Sequence, residues 1–237
     1  MRRSPARSRR PVQLELPMDT WGGRRAGSGR KRSGRQSHLR RPKVKARHPV
    51  HVTMKLREGL PNLRCRSLGR LVFDAFEKAK TRFGARLVQF SVQSNHLHLI
   101  VEVGEHRTLA RAMQGLAIRL ARRLNQRVGR RGAVFSERYH ARALRTPLEV
   151  RRALVYVLRN NQHHGTGAGQ PRRYDPLSTA PYFDGFTTRV YLPRNGFIPP
   201  EEPPVVAAET WLLRFGWRRL GLIRPEEKPR RDAQVAR

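Results

Sequence analysis

Acidic residues are scarce in this sequence. Its 237 residues carry 17 Asp and Glu against 51 Lys and Arg, a formal net charge of +34. A chain so basic should attract a polyanion; nucleic acid is the first candidate and a membrane surface the weaker one. Cysteine is nearly absent. The single Cys65 excludes an internal disulfide and any multi-cysteine zinc site. It has no recognisable catalytic context, so it reads as a small core or boundary residue, and a reducing cytoplasm fits. No run of about 18 apolar residues is present to span a bilayer. The N-terminus lacks the apolar core of a secretory signal. Its Arg- and Ser-rich, acid-poor start is also compatible with a transit peptide, but reads first as a basic nucleic-acid-binding arm.

The length suits one sizeable domain with tails, or two small ones. Residues 1–47 hold 16 Lys or Arg and two acids, with few large apolar side chains. Such a composition buries too little surface to offset its ordering entropy, so a disordered arm is expected. Within it Trp21–Arg32 is a Gly/Arg segment. Arg24, Arg25, Arg30, Lys31 and Arg32 suit phosphates or a minor groove, with little sequence specificity. The plain alternative is a basic linker.

Order should begin near His48. Pro49–Leu56 alternates as a strand, with Val50, Val52, Met54 and Leu56 pointing one way. Ser67–Ala79 follows helical spacing with a stripe from Leu68 to Ala79, closed by Gly84. Arg86–Gln93 is a second strand. It is joined through the tight Ser94–Asn95 turn to a third, His96–Glu102. Thr108 caps a helix to about Arg127, buried through Leu109, Met113, Leu116, Ala117, Leu120 and Leu124. Val134–Leu144 is the fourth strand and its approach. Thr146 and Pro147 then start a helix from Leu148 to about His163. This order predicts an α+β, ferredoxin-like antiparallel sheet with helices packed on one face and the other face open to a nucleic acid. The expected domains are a basic arm (1–47), a catalytic domain (48–165) and a Pro/Gly-rich extension (166–237). The extension carries a short aromatic helix near 207–220.

The third strand organises the chain. Side chains alternate faces with period two, so His96, His98, Ile100 and Glu102 share one face, while Leu97, Leu99 and Val101 enter the core. Two imidazoles side by side on a rigid strand can ligate a divalent metal; the plain alternative is a histidine pair on a solvated face. On the last helix, Tyr156 and Asn160 are four apart and therefore neighbours on one face. Asn160 can supply an oxygen ligand to a metal held by His96 and His98. Tyr156 would then lie within reach of a phosphate that the metal polarises. A buried tyrosine with a satisfied hydroxyl is the alternative for Tyr156. Glu102 is placed to orient an imidazole, or to be a solvated strand-end acid.

His96-Leu97-His98 on a hairpin strand resembles the histidine–hydrophobic–histidine motif of HUH endonucleases. Tyr156-Val157-Leu158-Arg159-Asn160, preceded by Arg138-Tyr139-His140-Ala141-Arg142, resembles the REP-associated tyrosine transposases. These are bacterial single-tyrosine relatives of the smallest insertion-sequence transposases. The resemblance covers roughly residues 48–165, and the Gly/Arg arm and the Trp211–Trp217 segment look like flanks seen in such proteins. It implies metal-dependent cleavage and transfer of single-stranded DNA at hairpin or palindromic elements, through a 5′-phosphotyrosine that frees a 3′-hydroxyl. Tyr156 would be the nucleophile, Mg²⁺ or Mn²⁺ the cofactor, and His96, His98 and Asn160 its ligands. Arg138, Arg142 and Arg145 would be DNA contacts. It also implies a cytoplasmic, nucleoid-associated protein, as a monomer or as a homodimer that exchanges the tyrosine helix. Rolling-circle initiators and relaxases often add a second tyrosine or third histidine; neither appears here at a matching position. His163 and His164 lie beyond Asn160, near the helix end. Insertion-sequence relatives often carry Gln where this chain has Asn160, one methylene shorter.

The rival class is a non-catalytic DNA- or RNA-binding protein on the same sheet. RNA-binding sheets of this order stack bases on aromatics of the open face, whereas the central strand here presents His96, His98 and Ile100. A domesticated transposase that binds hairpins without cutting is a third reading, against which stand the retained tyrosine and ligands.

Overall fold

The computed structural model describes residues 43–163, 175–189, 191 and 197–229. The basic positions Arg24, Arg25, Arg30, Lys31 and Arg32 lie outside the described residues. All the described residues belong to one compact unit. Among them no helix is long and apolar enough to cross a membrane.

Four strands form an antiparallel sheet: β1 (Val50–Lys55), β2 (Ala85–Val92), β3 (His96–Val103) and β4 (His140–Ala143), in spatial order β2-β3-β1-β4. Helices α1 (Arg66–Glu77) and α2 (His106–Val128) intervene, and α3 (Pro147–His163) follows β4. This is the expected α+β, ferredoxin-like arrangement. Alternation in β1 and β3 sends Val50, Val52, Met54, Leu56, Leu97, Leu99 and Val101 into a core shared with the apolar stripes of α1 and α2. Ser94 and Asn95 turn β2 into β3, with the Gln93 amide donating to the His96 carbonyl at 2.9 Å.

The second sheet face departs from expectation. It is not open: α3 and the C-terminal extension cover it with a core of their own. Ile100 of β3 and Val88 of β2 pack there with Val150, Leu154, Val157, Leu158, Leu213, Trp217 and Ile223. Val88 sits at a bulge between Leu87, opposite Val101, and Gln89, opposite Ile100. The extension also lies along the β2 edge. The amides of Val92, Thr179 and Val206 donate to the carbonyls of Leu177, Phe90 and Leu87.

Several boundaries also differ. Helix α1 ends at Glu77, and Gly84 (φ 71°) closes a separate 3-10 turn, Arg82–Gly84. Helix α2 begins at His106, two residues ahead of the expected Thr108 cap, and stops at Gly129, whose φ of 67° is the left-handed C-terminal conformation. β4 is only four residues long; Phe135 makes a single bridge to Leu56. Cys65 is exposed ahead of α1 rather than in a core or at its boundary. The start of α3 is a capping box: Thr146 Oγ1 accepts from the Glu149 amide, and the Glu149 carboxylate accepts from the amides of Thr146 and Arg145. The aromatic segment forms two short pieces, α4 (Trp211–Arg214) and the 3-10 turn Gly216–Leu220.

Glu102 is neither solvated nor an imidazole partner. It is buried, and its carboxylate accepts from the amides of Glu209 and Thr210 at 2.8–3.1 Å and from Thr210 Oγ1 at 2.7 Å. Its cross-strand partner Arg86 stands 3.6 Å away, pairs with Glu209 at 2.9 Å and donates to the Ala207 carbonyl. Strand parity places Glu102 on the histidine face as expected, but four residues beyond His98 that face meets the extension. The pair therefore clamps the entry to α4. Replacing Glu102 with Ala leaves the amides of Glu209 and Thr210 and the Thr210 hydroxyl without this acceptor. Urea unfolding should show a loss of about 2–4 kcal/mol, with trypsin cutting first within 207–220. Unchanged stability would refute the clamp.

Candidate active site

The covered face carries a polar row. Register places His98 opposite Thr53 on β1 and Ser91 on β2, and Thr53 opposite His140 on β4. Next to this row, His51 lies opposite Ile100 and Arg142. Helix α3 crosses above. Tyr156 Oη lies 3.3 Å from His98 Nε2, and Thr53 Oγ1 lies 3.2 Å from His98 Nδ1. The His98 and Tyr156 rings meet edge-on at 4.8 Å. His96 packs edge-on against His98 at 4.7 Å, and its Nδ1 donates to Asn95 Oδ1 at 2.8 Å. In a neutral ring that donation leaves the lone pair on His96 Nε2.

Tyr156, His98 and Asn160 are buried, at 3%, 3% and 0% exposure. Both polar atoms of the Asn160 amide lack a hydrogen-bond partner among the described residues. A buried amide without partners is rare and costly, and its carbonyl oxygen is a donor waiting for an acceptor of electron density. Two imidazoles with an amide oxygen make a mixed nitrogen and oxygen set that suits a divalent cation. The residues therefore fit the metal that the sequence motif implies. His98 Nε2 cannot ligate a cation and keep its hydrogen bond to Tyr156 together.

The sequence reading missed His51. Its ring lies 5.4 Å from His98 and 5.7 Å from Tyr156. With Arg142, Glu149, Arg152 and Tyr156 it lines a small cavity of about 30 Å³. Burial, helped by the neighbouring His140 and Arg142 charges, lowers its pKa to about 4, so it is neutral near pH 7. Its signal was present in β1: alternation that sends Val50 and Val52 inward sends His51 and Thr53 to the histidine face. Only the strand register could show that they meet His98.

The three arginines separate. Arg142 lines that cavity and pairs with Glu149 at 3.1 Å. Burial disfavours the Glu149 carboxylate, but the Arg145 amide, the Arg142 guanidinium and the Thr146 amide hold its pKa below the usual value. Arg138 and Arg145 are exposed. Arg159, between Tyr156 and Asn160, is fully buried. Burial lowers its pKa to about 10 against the opposing charges of Glu226 and Asp175, so it remains a cation.

Comparison with known proteins bears on this arrangement. Residues 48–158 match the model of the IS200-like transposase family. This domain, with its ferredoxin-like sheet and tyrosine-bearing third helix, is similar to that family. The structure of a REP-associated tyrosine transposase bound to a REP hairpin is similar over 61% of this chain and 82% of its own. It is 20% identical, with a TM-score of 0.50, which is a likeness of fold. A candidate transposase from Deinococcus radiodurans R1 aligns over 56% of this chain and 97% of its own at 14% identity, with a TM-score of 0.37. No curated protein matches the chain.

The buried His51 sets a pH dependence. Its unfolded imidazole titrates near 6.5 and its folded one near 4. Between these values the unfolded chain binds more protons, so stability falls as pH drops below about 6.5 and levels off near 4. The group's share is about 3 kcal/mol. Denaturation at pH 7 and pH 4 should show this loss in the wild type and a smaller one in His51→Leu. Equal losses would exclude His51 as the source.

Proposed function

We propose that this protein is a transposase that cleaves and rejoins single-stranded DNA, at hairpin or palindromic elements, through a phosphotyrosine on Tyr156. The observation that carries the reading is the contact of Tyr156 with His98, on the face that also holds His96, within a domain similar to the IS200-like transposase family. The Tyr156 oxygen forms a bond to phosphorus and the bond to the 3′ oxygen breaks. That oxygen leaves as a 3′-hydroxyl and the tyrosine proton is lost. One phosphodiester is exchanged for another, so a 3′-hydroxyl can reverse the step without ATP.

A tyrosine hydroxyl with an ordinary pKa near 10 is a weak nucleophile. Thr53 supports its activation by holding His98. A neutral imidazole donating from Nδ1 to Thr53 turns the Nε2 lone pair toward Tyr156, the same tautomer a metal requires. His96, His98 and Asn160 would hold Mg²⁺ or Mn²⁺, which supplies Lewis-acid stabilisation of charge on the phosphate. The partner would be single-stranded or hairpin DNA, drawn by the net charge of +34. We place the reaction in the bacterial cytoplasm, at the nucleoid, with Arg138, Arg142 and Arg145 on the DNA backbone and the basic arm following phosphates.

Binding without cleavage is the second reading. The burial of Tyr156 favours it, because a phosphate reaches that hydroxyl only when α3 or the extension shifts.

Covalent trapping separates the two. End-labelled hairpin oligonucleotides incubated with protein and Mn²⁺ should give an adduct on a denaturing gel. It should carry the 3′ portion of the DNA and be absent with Tyr156→Phe or with EDTA. Asn160→Ala should bind DNA normally and form adduct at least about 10-fold more slowly. An adduct that survives Tyr156→Phe would transfer the role to Tyr139. Salt-dependent binding with no adduct on any hairpin would support the second reading.

A further inference from the structure

A groove of about 620 Å³ lies on the covered side of the sheet, between the bulged part of β2, the segment 203–208 and the aromatic pieces around α4. Its lining is unlike the metal face. Phe183 and the buried Trp217 stack at 5.6 Å and 27°. Phe215 lines the groove while 53% exposed, with the Arg214 guanidinium over its ring at 4.9 Å. Arg218 covers Trp217 at 5.0 Å and pairs with Asp184 at 2.7 Å. Leu154 forms part of the wall, two residues before Tyr156 on the same helix. The Glu102–Arg86 clamp fixes the segment from which α4 starts.

We propose that this groove is a stacking site for unpaired bases of single-stranded DNA, with Phe215 as its platform and Arg214 and Arg218 as its backbone contacts. The inference rests on the single-stranded DNA reading above. Aromatic rings with guanidinium groups stacked on them are the common platform for unstacked bases, because every base has a π-face. The volume suits a ligand of nucleotide size. Charge decides the occupant. The rim carries Arg214 and Arg218 against Asp184. The chain's own outlying segments are basic too: residues 1–47 hold 16 Lys or Arg, and 230–237 hold Arg230, Arg231 and Arg237 against Asp232. A second copy brings a further net charge of +34. A polyanion is the complementary partner.

The test is fluorescence anisotropy with a fluorescein-labelled strand of about ten thymidines, within the range of known single-strand sites. The full-length chain is used, with a duplex of equal length for comparison. Phe215→Ala should weaken single-strand binding about tenfold and leave duplex binding and the melting temperature unchanged. Phe215→Trp should restore it. Phe83→Ala is the control, because Phe83 is 47% exposed beneath Arg82 and packs on Gly115 of α2, away from the groove. Wild-type affinity in Phe215→Ala, or an equal loss in Phe83→Ala or on duplex, would overturn the proposal. The trapping assay reports on Tyr156 separately. A wild type that forms adducts while Phe215→Ala binds normally sinks the stacking site alone. A protein that forms no adduct yet loses binding in Phe215→Ala keeps the site and loses the cleavage reading.

Discussion

One strand with two buried faces governs this molecule. β3 pairs on both sides, and period-two alternation divides its side chains between two cores. Leu97, Leu99 and Val101 pack against α1 and α2, while Ile100 packs beneath α3. Two of the polar residues on the second face, His98 and Glu102, also meet partners on elements that follow β3 in the chain. His98 meets Tyr156 from α3, and Glu102 meets residues 209 and 210 from the extension. A one-residue slip of β3 would exchange the two sets and bury imidazoles among α1 and α2. Register and site are thus one constraint.

The parts of the fold that were legible were those written in periodicity. The β1 and β3 alternation, the α1 and α2 stripes, the Ser94–Asn95 turn and the Thr146–Pro147 helix start all sit where local chemistry puts them. The misreadings came from contacts distant in sequence. Nothing local in 166–237 announces that Leu213, Trp217 and Ile223 cover a sheet face, because that stretch lacks the repeating pattern of a helix or strand. Glu102 looked like a strand-end acid because its acceptors' partners lie over 100 residues later. Spacing alone put His96 and His98 on one face of β3 and Tyr156 and Asn160 on one face of α3, and the structure brings Tyr156 to His98. His51 and Thr53 became readable only through register.

The electrostatics of the chain have two scales. The net charge acts over roughly a Debye length, about 8 Å at physiological salt. It draws a polyanion without choosing where on it to act. Around Tyr156, His51 is held uncharged and Arg142 is paired with Glu149, while Arg152 adds a further positive charge to the cavity lining. In such a buried site a phosphate meets less screening than it does on the exterior.

The extension also changes what the sheet presents to other proteins. An exposed edge strand is an open row of donors and acceptors on which a foreign strand can add. Along β2, the carbonyls of Leu87 and Phe90 and the amide of Val92 are already hydrogen-bonded to Val206, Thr179 and Leu177. At the opposite edge β4 is four residues long and begins at a half-buried histidine. The sheet is thereby sealed against β-augmentation on its long side.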